Sequence, residues 1–226
     1  MASLFPNSFV QSELGEIPQG WKIGTLADLT EFQNGYAFKG QDWTNSGHPV
    51  IKIGNVKPRL ISFDSCSFIG QRTTVGLDRF KLHRGDLLVG MTGYVGETGL
   101  VPEVHPAAYL NQRVGRFTTR QGIQDIGFVY CLVRNDTFKN FAESQSHGSA
   151  QANVSGADLL KLPTVIPDTK LLSSFNSIIF PIIDAIISNY EKEQTLVSLR
   201  DPVLGRLISG QLKLPVAMEK IEAAKA

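Results

Sequence analysis

The sequence predicts an α+β fold: one globular domain with a twisted mixed β-sheet, followed by a long C-terminal α-helix that pairs with another helix. Short, glycine-punctuated segments with alternating apolar and polar residues occupy much of the chain before residue 120 and are typical of strands. A helical stripe follows within residues 124–145. Beyond residue 168, apolar residues recur at three- and four-residue steps, which indicates a second and much longer helix.

Four segments are predicted as strands, in the order 48–56, 60–69, 86–90 and 109–118. Residues 48–56 include a turn at their end, and residues 86–90 are an apolar run opened by the turn pair Gly85-Asp86. Residues 60–69 and 109–118 alternate apolar and polar side chains, as half-buried strands do. Residues 124–145 then change to a helical period. These elements form a predicted domain of residues 1–167 that ends at Pro167.

The last third of the chain is predicted to be one helix of about residues 169–200, capped by Asp168. At about 1.5 Å per residue it is roughly 48 Å long, so part of its apolar stripe extends beyond the domain. Pro181 is expected to kink this helix or to shift its start. Residues 168–210 are predicted to serve assembly, and residues 211–226 to form a flexible tail. The predicted helix-pairing side chains are Leu172, Phe175, Ile179, Ile182, Ile183, Ile186, Tyr190 and Val197. A single helix packed wholly on its own domain is the alternative.

The composition is that of a soluble globular protein of 226 residues, with 42% hydrophobic and 19% charged residues. Cys66 and Cys131 lie far apart without metal-ligand spacing, which favours a reducing cytoplasm. The N-terminus lacks the basic and apolar regions of a secretion signal, and the apolar residues 178–187 are too few to span a bilayer. We therefore expect a cytoplasmic protein with no membrane partner.

Charge is distributed unevenly along the chain, although the net charge is only +1. Residues 50–120 hold ten Lys or Arg and five Asp or Glu, and 10 − 5 gives +5. This basic middle predicts either a surface that faces phosphates or an ordinary solvated face.

Catalytic and metal-binding patterns are missing from the sequence. The four histidines have no metal-ligand spacing, and the glycines from Gly90 to Gly99 lack the Lys and Ser or Thr of a phosphate-binding loop. No Asn/Asp-Pro-Pro-Tyr/Phe element for methylating a flipped base is present. We expect no catalytic centre, no metal and no cofactor on this chain.

Five groups of motifs resemble, in order, the specificity (S) subunits of type I restriction–modification systems. The first is Leu4-Phe5-Pro6-Asn7-Ser8-Phe9 with the run from Ser12 to Trp21, and the second is the run from Gly85 to Gly93. Leu110-Asn111-Gln112-Arg113-Val114 follows, and then the run from Gly148 to Ser155 with Leu162-Pro163 and Ile166-Pro167. The fifth is Leu199-Arg200-Asp201 with Leu207-Ile208-Ser209-Gly210.

The resemblance implies a division of labour. A full S subunit has two target-recognition domains, each reading one half of a bipartite site in double-stranded DNA, and two long antiparallel helices that space them. Methyltransferase (M) subunits bind S-adenosylmethionine and methylate adenine, and a restriction (R) subunit joins through the complex. This chain resembles one half: one recognition domain and one helix. Self-association through the helix, pairing with a different half, and origin as a piece of a longer subunit all remain open.

Side chains for DNA contact are chosen by chemistry, because Arg and Lys hold phosphates or guanine and amides read adenine. The candidates are Tyr36, Lys39, Lys57, Arg59, Gln71, Arg72, Thr92 and Tyr94. Gln112, Arg113, Gln151 and Asn153 fit the chemistry, but they lie in motifs that the family shares. The resemblance therefore implies that these four hold the scaffold together. A protein–protein adaptor that never touches DNA, and a compact nuclease, are the rival hypotheses.

Overall fold

A computed structural model describes residues 8–118, 126–147 and 152–212 of the chain. Residues 4–7 of the first motif, Gln151 and the predicted tail beyond residue 212 lie outside these ranges. Strands and helices together confirm the α+β class.

The described residues form thirteen strands and four α-helices, each numbered in chain order. The strands are β1 (Phe9–Ser12), β2 (Gly15–Pro18), β3 (Lys22–Thr25), β4 (Glu31–Asn34), β5 (Trp43–Thr44), β6 (His48–Ile51), β7 (Arg59–Leu60), β8 (Ser67–Ile69), β9 (Leu87–Gly90), β10 (Thr98–Leu100), β11 (Tyr109–Leu110), β12 (Val114–Thr118) and β13 (Pro163–Ile166). The helices are α1 (Ile126–Val133), α2 (Asp136–Ser144), α3 (Gly156–Leu159) and α4 (Thr169–Ile208).

The strands form several small sheets, where the sequence predicts one. The largest has the order β4-β12-β9-β10-β7 and is mixed, because β7 runs parallel to β10 while the other pairs are antiparallel. A second mixed sheet has the order β11-β6-β8-β5. The pairs β1-β2 and β13-β3 form separate two-stranded sheets.

Two predicted strands are each divided between two sheets. Residues 60–69 contain the end of β7 and all of β8, and the chain folds back between them because the Asn55 amide donates to the carbonyls of Ser62 and Asp64. Residues 109–118 contain β11 and β12, separated by a turn in which the Val114 N–H bonds to the Asn111 carbonyl. Alternating hydrophobicity continues through the first turn, whereas the second turn interrupts it with the polar run Asn111-Gln112-Arg113. The predicted strand 86–90 is confirmed as β9, and segment 48–56 is β6 followed by a short 3₁₀ turn.

The segment 124–145, which the sequence predicts to be helical, forms two helices. The first begins at Ile126 in the described residues. The side-chain oxygen of Asn135 accepts the Phe138 N–H at 2.9 Å and begins α2 there. Val129 of α1 and Phe138 of α2 are buried against Leu87, Val89 and Phe117 of the largest sheet. This cluster is the main core of the domain.

Helix α4 begins where the sequence predicts and continues past the predicted end at about residue 200. The Asp168 carboxylate accepts the N–H groups of Lys170 and Leu171 at 2.9 and 3.0 Å, which confirms it as the cap. Pro181 neither interrupts the helix nor shifts its start. Pro181 and Ser177 are exposed, so water can bond the Ser177 carbonyl that proline leaves without a donor.

The first half of α4 is part of the domain. Ile183 and Ile187 are buried in its core, the Asn176 side-chain oxygen accepts the Phe128 N–H at 2.8 Å, and Arg84 pairs with Asp184 at 2.5 Å. The chain accordingly divides into two compact units, Met1–Ile187 and Ser188–Ala226. The first unit therefore extends about five helical turns beyond Pro167.

By length and composition alone, α4 is a helix that could cross a membrane. Core helices of soluble proteins meet the same criteria, and the first half of α4 buries Leu171, Ile183 and Ile187 inside the domain. Packing inside the domain therefore explains part of the apolar content of α4.

Candidate nucleic-acid interface

One end of the five-stranded sheet brings together the termini of all its strands. The register pairs Asn34 with Gly115, Gly90 with Val114, and Val89 with Thr98, so β4 and β9 end where β12 and β10 begin. β7 is parallel to β10 and starts at the same end. Seven residues at this end form what we call the sheet-end surface. Six lie in or beside the strand ends and Asn153 joins them through a bridge to Thr92: Lys57, Arg59, Thr92, Tyr94, Gln112, Arg113 and Asn153.

A tight turn between β9 and β10 projects Tyr94 from this surface. Gly93 and Gly96 have φ angles of 74° and 78°, and the Gly96 N–H bonds to the Gly90 carbonyl at 3.0 Å. The Tyr94 side chain is 66% exposed, and Lys57 Nζ lies 6.0 Å from its ring centroid. An exposed aromatic ring beside an ammonium group offers a stacking and charged contact to a ligand.

Thr92 is the buried member of the sheet-end surface, and its hydroxyl contacts two of the exposed members. It is 5% exposed, and its hydroxyl donates to Asn153 Oδ1 at 2.7 Å. Arg113 Nη1 lies 3.4 Å from the same hydroxyl oxygen. Gln112, Arg113 and Asn153 are themselves exposed. Thr92 is therefore placed to position Asn153 and Arg113 rather than to touch a ligand itself.

A cleft of about 520 Å³ opens beside these three exposed side chains. One wall comes from the strand ends, and the other from the segment that leads into α3. The Phe32 ring lies where a Cβ on Gly115 or Gly156 would be, so both glycines permit the close approach that joins the two walls. The lining residues are Asn34, Gly35, Met91, Gln112, Arg113, Asn153, Val154, Ser155, Gly156 and Ala157.

Positive charge predominates at this end of the sheet. Lys57, Arg59 and Arg113 are exposed, and the carboxylate of Glu97 in the β9–β10 turn lies 3.7 Å from Lys139 Nζ. Arg59 has a φ of 79°, in the left-handed region that costs a non-glycine residue on the order of 1–3 kcal/mol. Such strain is common at functional positions.

The metal-ligating side chains and the thiols of the described residues bear on whether the chain holds a metal site or a thiol nucleophile. No group of three or more His, Cys, Asp or Glu side chains within them is arranged to hold a metal ion. Burial raises the pKa of the Cys66 thiol to about 11, with a smaller contribution from Asp64, and burial also raises the pKa of Cys131. Both thiols are protonated at neutral pH and so are weak nucleophiles.

Comparison with known proteins identifies the family. The model of the type I restriction modification DNA specificity domain matches residues 18–198, which is most of the chain. The chain belongs to this family.

Related specificity subunits are similar along nearly all of this chain. The MjaVIII type I restriction enzyme specificity subunit of Methanocaldococcus jannaschii is 26% identical over 92% of the chain and 50% of its own length. The HindI specificity subunit of Haemophilus influenzae is 20% identical over 87% of the chain and 42% of its own length. The chain thus spans about half the length of the curated relatives it matches.

Solved S subunits share the fold of this specificity domain. The type I S subunit from M. genitalium superposes with a TM-score of 0.58 at 14% identity, over 92% of this chain and 50% of that one. The HsdS subunit from Thermoanaerobacter tengcongensis gives a TM-score of 0.51 at 15% identity, over 93% and 49%.

The eight residues predicted for DNA contact fall into two groups in this specificity domain. Lys57, Arg59, Thr92 and Tyr94 belong to the sheet-end surface. Tyr36 is half-buried among Phe38, Phe80 and Trp43, with ring centroids 4.9 Å apart for Tyr36 and Phe38. The other three lie outside the sheet-end surface: exposed Lys39 and Arg72, and Gln71, which bonds to His48 at 2.7 Å.

The predicted helix-pairing residues also divide into two groups. Ile183 is buried in the domain core, Ile179 packs against that core, and the Phe175 ring meets Phe128 edge-on at 5.5 Å between centroids. These three pack on the specificity domain itself; Ile183 is covered by it, whereas Phe175 and Ile179 are half-buried. Of the other five, Ile182 is exposed, and the half-buried ones are Leu172, Ile186, Tyr190 and Val197.

Three further surface residues are Gln112, Arg113 and Asn153, for which the resemblance implied a scaffold role. Their side chains are exposed, and in the described part of the chain the Thr92 hydroxyl links the side chains of Arg113 and Asn153. Three consecutive polar residues (Asn111, Gln112 and Arg113) between two apolar strands were the available signal, since such a run marks a loop at a sheet end. Gln151 lies outside the described residues.

Proposed function

We propose that this chain is a sequence-specific DNA-recognition subunit of a type I restriction–modification system. It directs partner M subunits, and an R subunit through the complex, to one half of a bipartite site in double-stranded DNA. The observation that carries the proposal is the sheet-end surface: three exposed cations and two exposed amides at one end of a sheet, in a chain of the specificity-domain family. Cations, amides and guanidinium groups are the side chains that hold DNA phosphates or read base edges.

The chain itself is non-catalytic in this proposal. The partner M subunit binds S-adenosylmethionine and methylates adenine, while this chain needs no cofactor or metal. It works in the cytoplasm, where the DNA is, and has no membrane partner.

The second half of the DNA site is read by a second recognition domain, which is joined to this one by a helix that packs on α4. Leu196, Leu199 and Val203 recur at three- and four-residue steps in the second half of α4 and are 65%, 61% and 39% exposed. Another copy of the chain supplies that helix in the simplest case, and a different half-subunit supplies it otherwise. Two copies place two identical readers about a two-fold axis, which suits a palindromic bipartite site.

Genome-wide mapping of adenine methylation tests the proposal. Cells carrying this chain with its M subunit are compared with cells carrying the M subunit alone. We expect one bipartite motif to be methylated only when the chain is present. The absence of any chain-dependent motif, with both proteins soluble and associated, would contradict DNA reading and favour the adaptor hypothesis.

A further inference from the structure

We propose that the cleft beside Gln112, Arg113 and Asn153 binds a backbone phosphate of the DNA and fixes the register of the specificity domain on the duplex. This inference rests on the proposed function, because it assigns a task to one part of the surface that contacts DNA. It gives the three side chains a positioning role in place of the scaffold role expected from the sequence.

The hydrogen-bonding capacity of the cleft supports an anionic ligand. The Arg113 guanidinium carries five N–H donors, and its one bond to a described residue is the 3.4 Å contact with Thr92. Asn153 uses its side-chain oxygen to accept from Thr92, which leaves its NH₂ group as a donor. Gln112 makes no side-chain hydrogen bond to the described part of the chain. The side chains of Arg113, Asn153 and Gln112 thus offer N–H donors to a ligand in the cleft.

A neighbouring carboxylate is already neutralised. Asp158 in α3 accepts the Ser155 hydroxyl at 2.6 Å and the Lys161 ammonium at 2.8 Å. Lys161 therefore offsets its charge, and Asp158 is not among the residues that line the cleft. The remaining lining residues are uncharged.

The concave shape favours phosphate over a base edge. Base edges lie on the floor of a groove about 8.5 Å deep, and a protein reaches them with a protruding element. Phosphates lie on the outside of the duplex and fit a concave, donor-lined site. Tyr94 protrudes from the sheet-end surface, whereas Gln112, Arg113 and Asn153 line a recess.

Salt-dependent binding by the assembled complex distinguishes these roles. The affinity of the full chain with its M subunit is measured for two fluorescent duplexes of the same length at several salt concentrations. One duplex carries the motif identified by methylation mapping, and the other has a scrambled sequence. For Arg113→Gln we expect the affinity for both duplexes to fall by the same factor. The slope of log affinity against log salt should become shallower by about 0.9, the value of one phosphate contact.

Two further variants make the test specific. Arg113→Lys keeps the charge without the planar fork, so it should retain the salt slope and most of the affinity if the ligand is a phosphate. Lys22→Gln removes an exposed cation from β3, in a different sheet, and should leave the slope unchanged. Arg113 is exposed, and thermal unfolding of each variant checks that the fold is retained.

The other outcomes separate the two proposals. Wild-type complex that binds neither duplex overturns the proposed function itself. Wild-type complex that binds, with an unchanged affinity and slope for Arg113→Gln, overturns the phosphate site alone. Loss confined to the motif duplex, which Arg113→Lys does not restore, would make Arg113 a reader of guanine and also overturn the phosphate site.

Discussion

At the scale of single residues, Thr92 connects the fold to the cleft. Its side chain is buried, yet its hydroxyl contacts both Asn153 and Arg113, which are exposed. A buried group that orients two exposed ones contributes to binding by keeping them in place before the ligand arrives. Removing its hydroxyl should therefore affect DNA binding without removing any side chain that touches DNA.

We predict that Thr92→Val weakens DNA binding by the assembled complex about fivefold, since one hydrogen bond contributes about 1 kcal/mol. Fluorescence anisotropy measures the affinity, and chemical denaturation the free energy of unfolding. Thr98→Val is the matched control, because Thr98 is also buried and donates to the Val133 carbonyl at 3.3 Å, and neither residue lines the cleft. Both variants should lose about 1 kcal/mol of stability. Equal affinities for the two variants would show that Thr92 acts only in folding.

Arg116 is a cation of the basic middle that is not available to DNA. Its guanidinium is largely buried and donates to Asp86 at 2.7 Å, to Gln33 at 2.6 Å, and to the carbonyls of Lys81 and Arg79. These bonds join β12 to β4 and to the turns around β9, close to the strands that carry the sheet-end surface. Its charge stabilises the domain and does not face phosphate.

We predict that Arg116→Met lowers the free energy of unfolding by about 3 kcal/mol or more, because Asp86 and Gln33 lose their partner in a low-dielectric site. Urea denaturation followed by circular dichroism measures this change. Arg72→Met, at an exposed position, is the control and should change stability by less than about 0.5 kcal/mol. A similarly small effect for Arg116→Met would mean that the network contributes no net stability.

Arg116 also shows why the sequence predicted only part of the site. A count of charges along residues 50–120 cannot separate Arg116 from Arg113, three positions away, although one is buried and the other exposed. The chemistry of side chains selected Lys57, Arg59 and Tyr94. Asn153 joins them only through the bridge to Thr92, a contact across 61 residues that depends on the tertiary fold.

At the scale of elements, regular features were predictable and pairings were not. The α+β class, strand β9, the Asp168 cap and the start of α4 follow from local patterns. The number of sheets does not, because a two-residue strand such as β7 or β11 is defined by its partner and not by its own period. The depth to which α4 enters the core likewise depends on α1 and the sheet.

A prediction about chain length follows from α4. A chain ending at Pro167 loses the buried side chains of Leu171, Ile183 and Ile187 and the Asn176–Phe128 hydrogen bond. Each fully buried aliphatic side chain contributes about 1.5–3 kcal/mol, and the whole stability of a domain is about 5–15 kcal/mol. We therefore expect the chain ending at Pro167 to be unfolded or aggregated.

The matched control for this prediction is a chain that ends after Ser188 and keeps the whole core. We expect it to unfold cooperatively on heating, which circular dichroism and differential scanning calorimetry measure. A folded, cooperative chain of residues 1–167 would show that the first half of α4 is dispensable to the domain.

At the scale of the whole molecule, the second half of α4 has a different task from the first. Leu196, Leu199 and Val203 are exposed at three- and four-residue steps and so lie on one face of the helix. Apolar residues repeated at this spacing are typical of a helix that packs against another helix. In the proposed assembly this face sets the pairing of two readers and hence the symmetry of the DNA site.

We predict that the double variant Leu199→Glu with Val203→Glu is monomeric, whereas the natural chain is a dimer. Four carboxylates would face each other across a two-fold axis in a dimer of the variant, in place of apolar contact. Sedimentation velocity measures the oligomeric state. Gln194→Glu with Ser198→Glu adds the same charge on the opposite face of the helix and should remain dimeric.

Mapping of methylation then tests whether pairing of two chains determines the DNA site. If two copies read the DNA, the natural chain gives a palindromic bipartite motif, and the monomeric variant loses methylation of that motif while its recognition domain stays folded. A variant that stays dimeric would place the pairing elsewhere on the chain. A monomeric variant that still directs methylation of the same bipartite motif would mean that the second half-site is read by a different protein, since one recognition domain reads only one half.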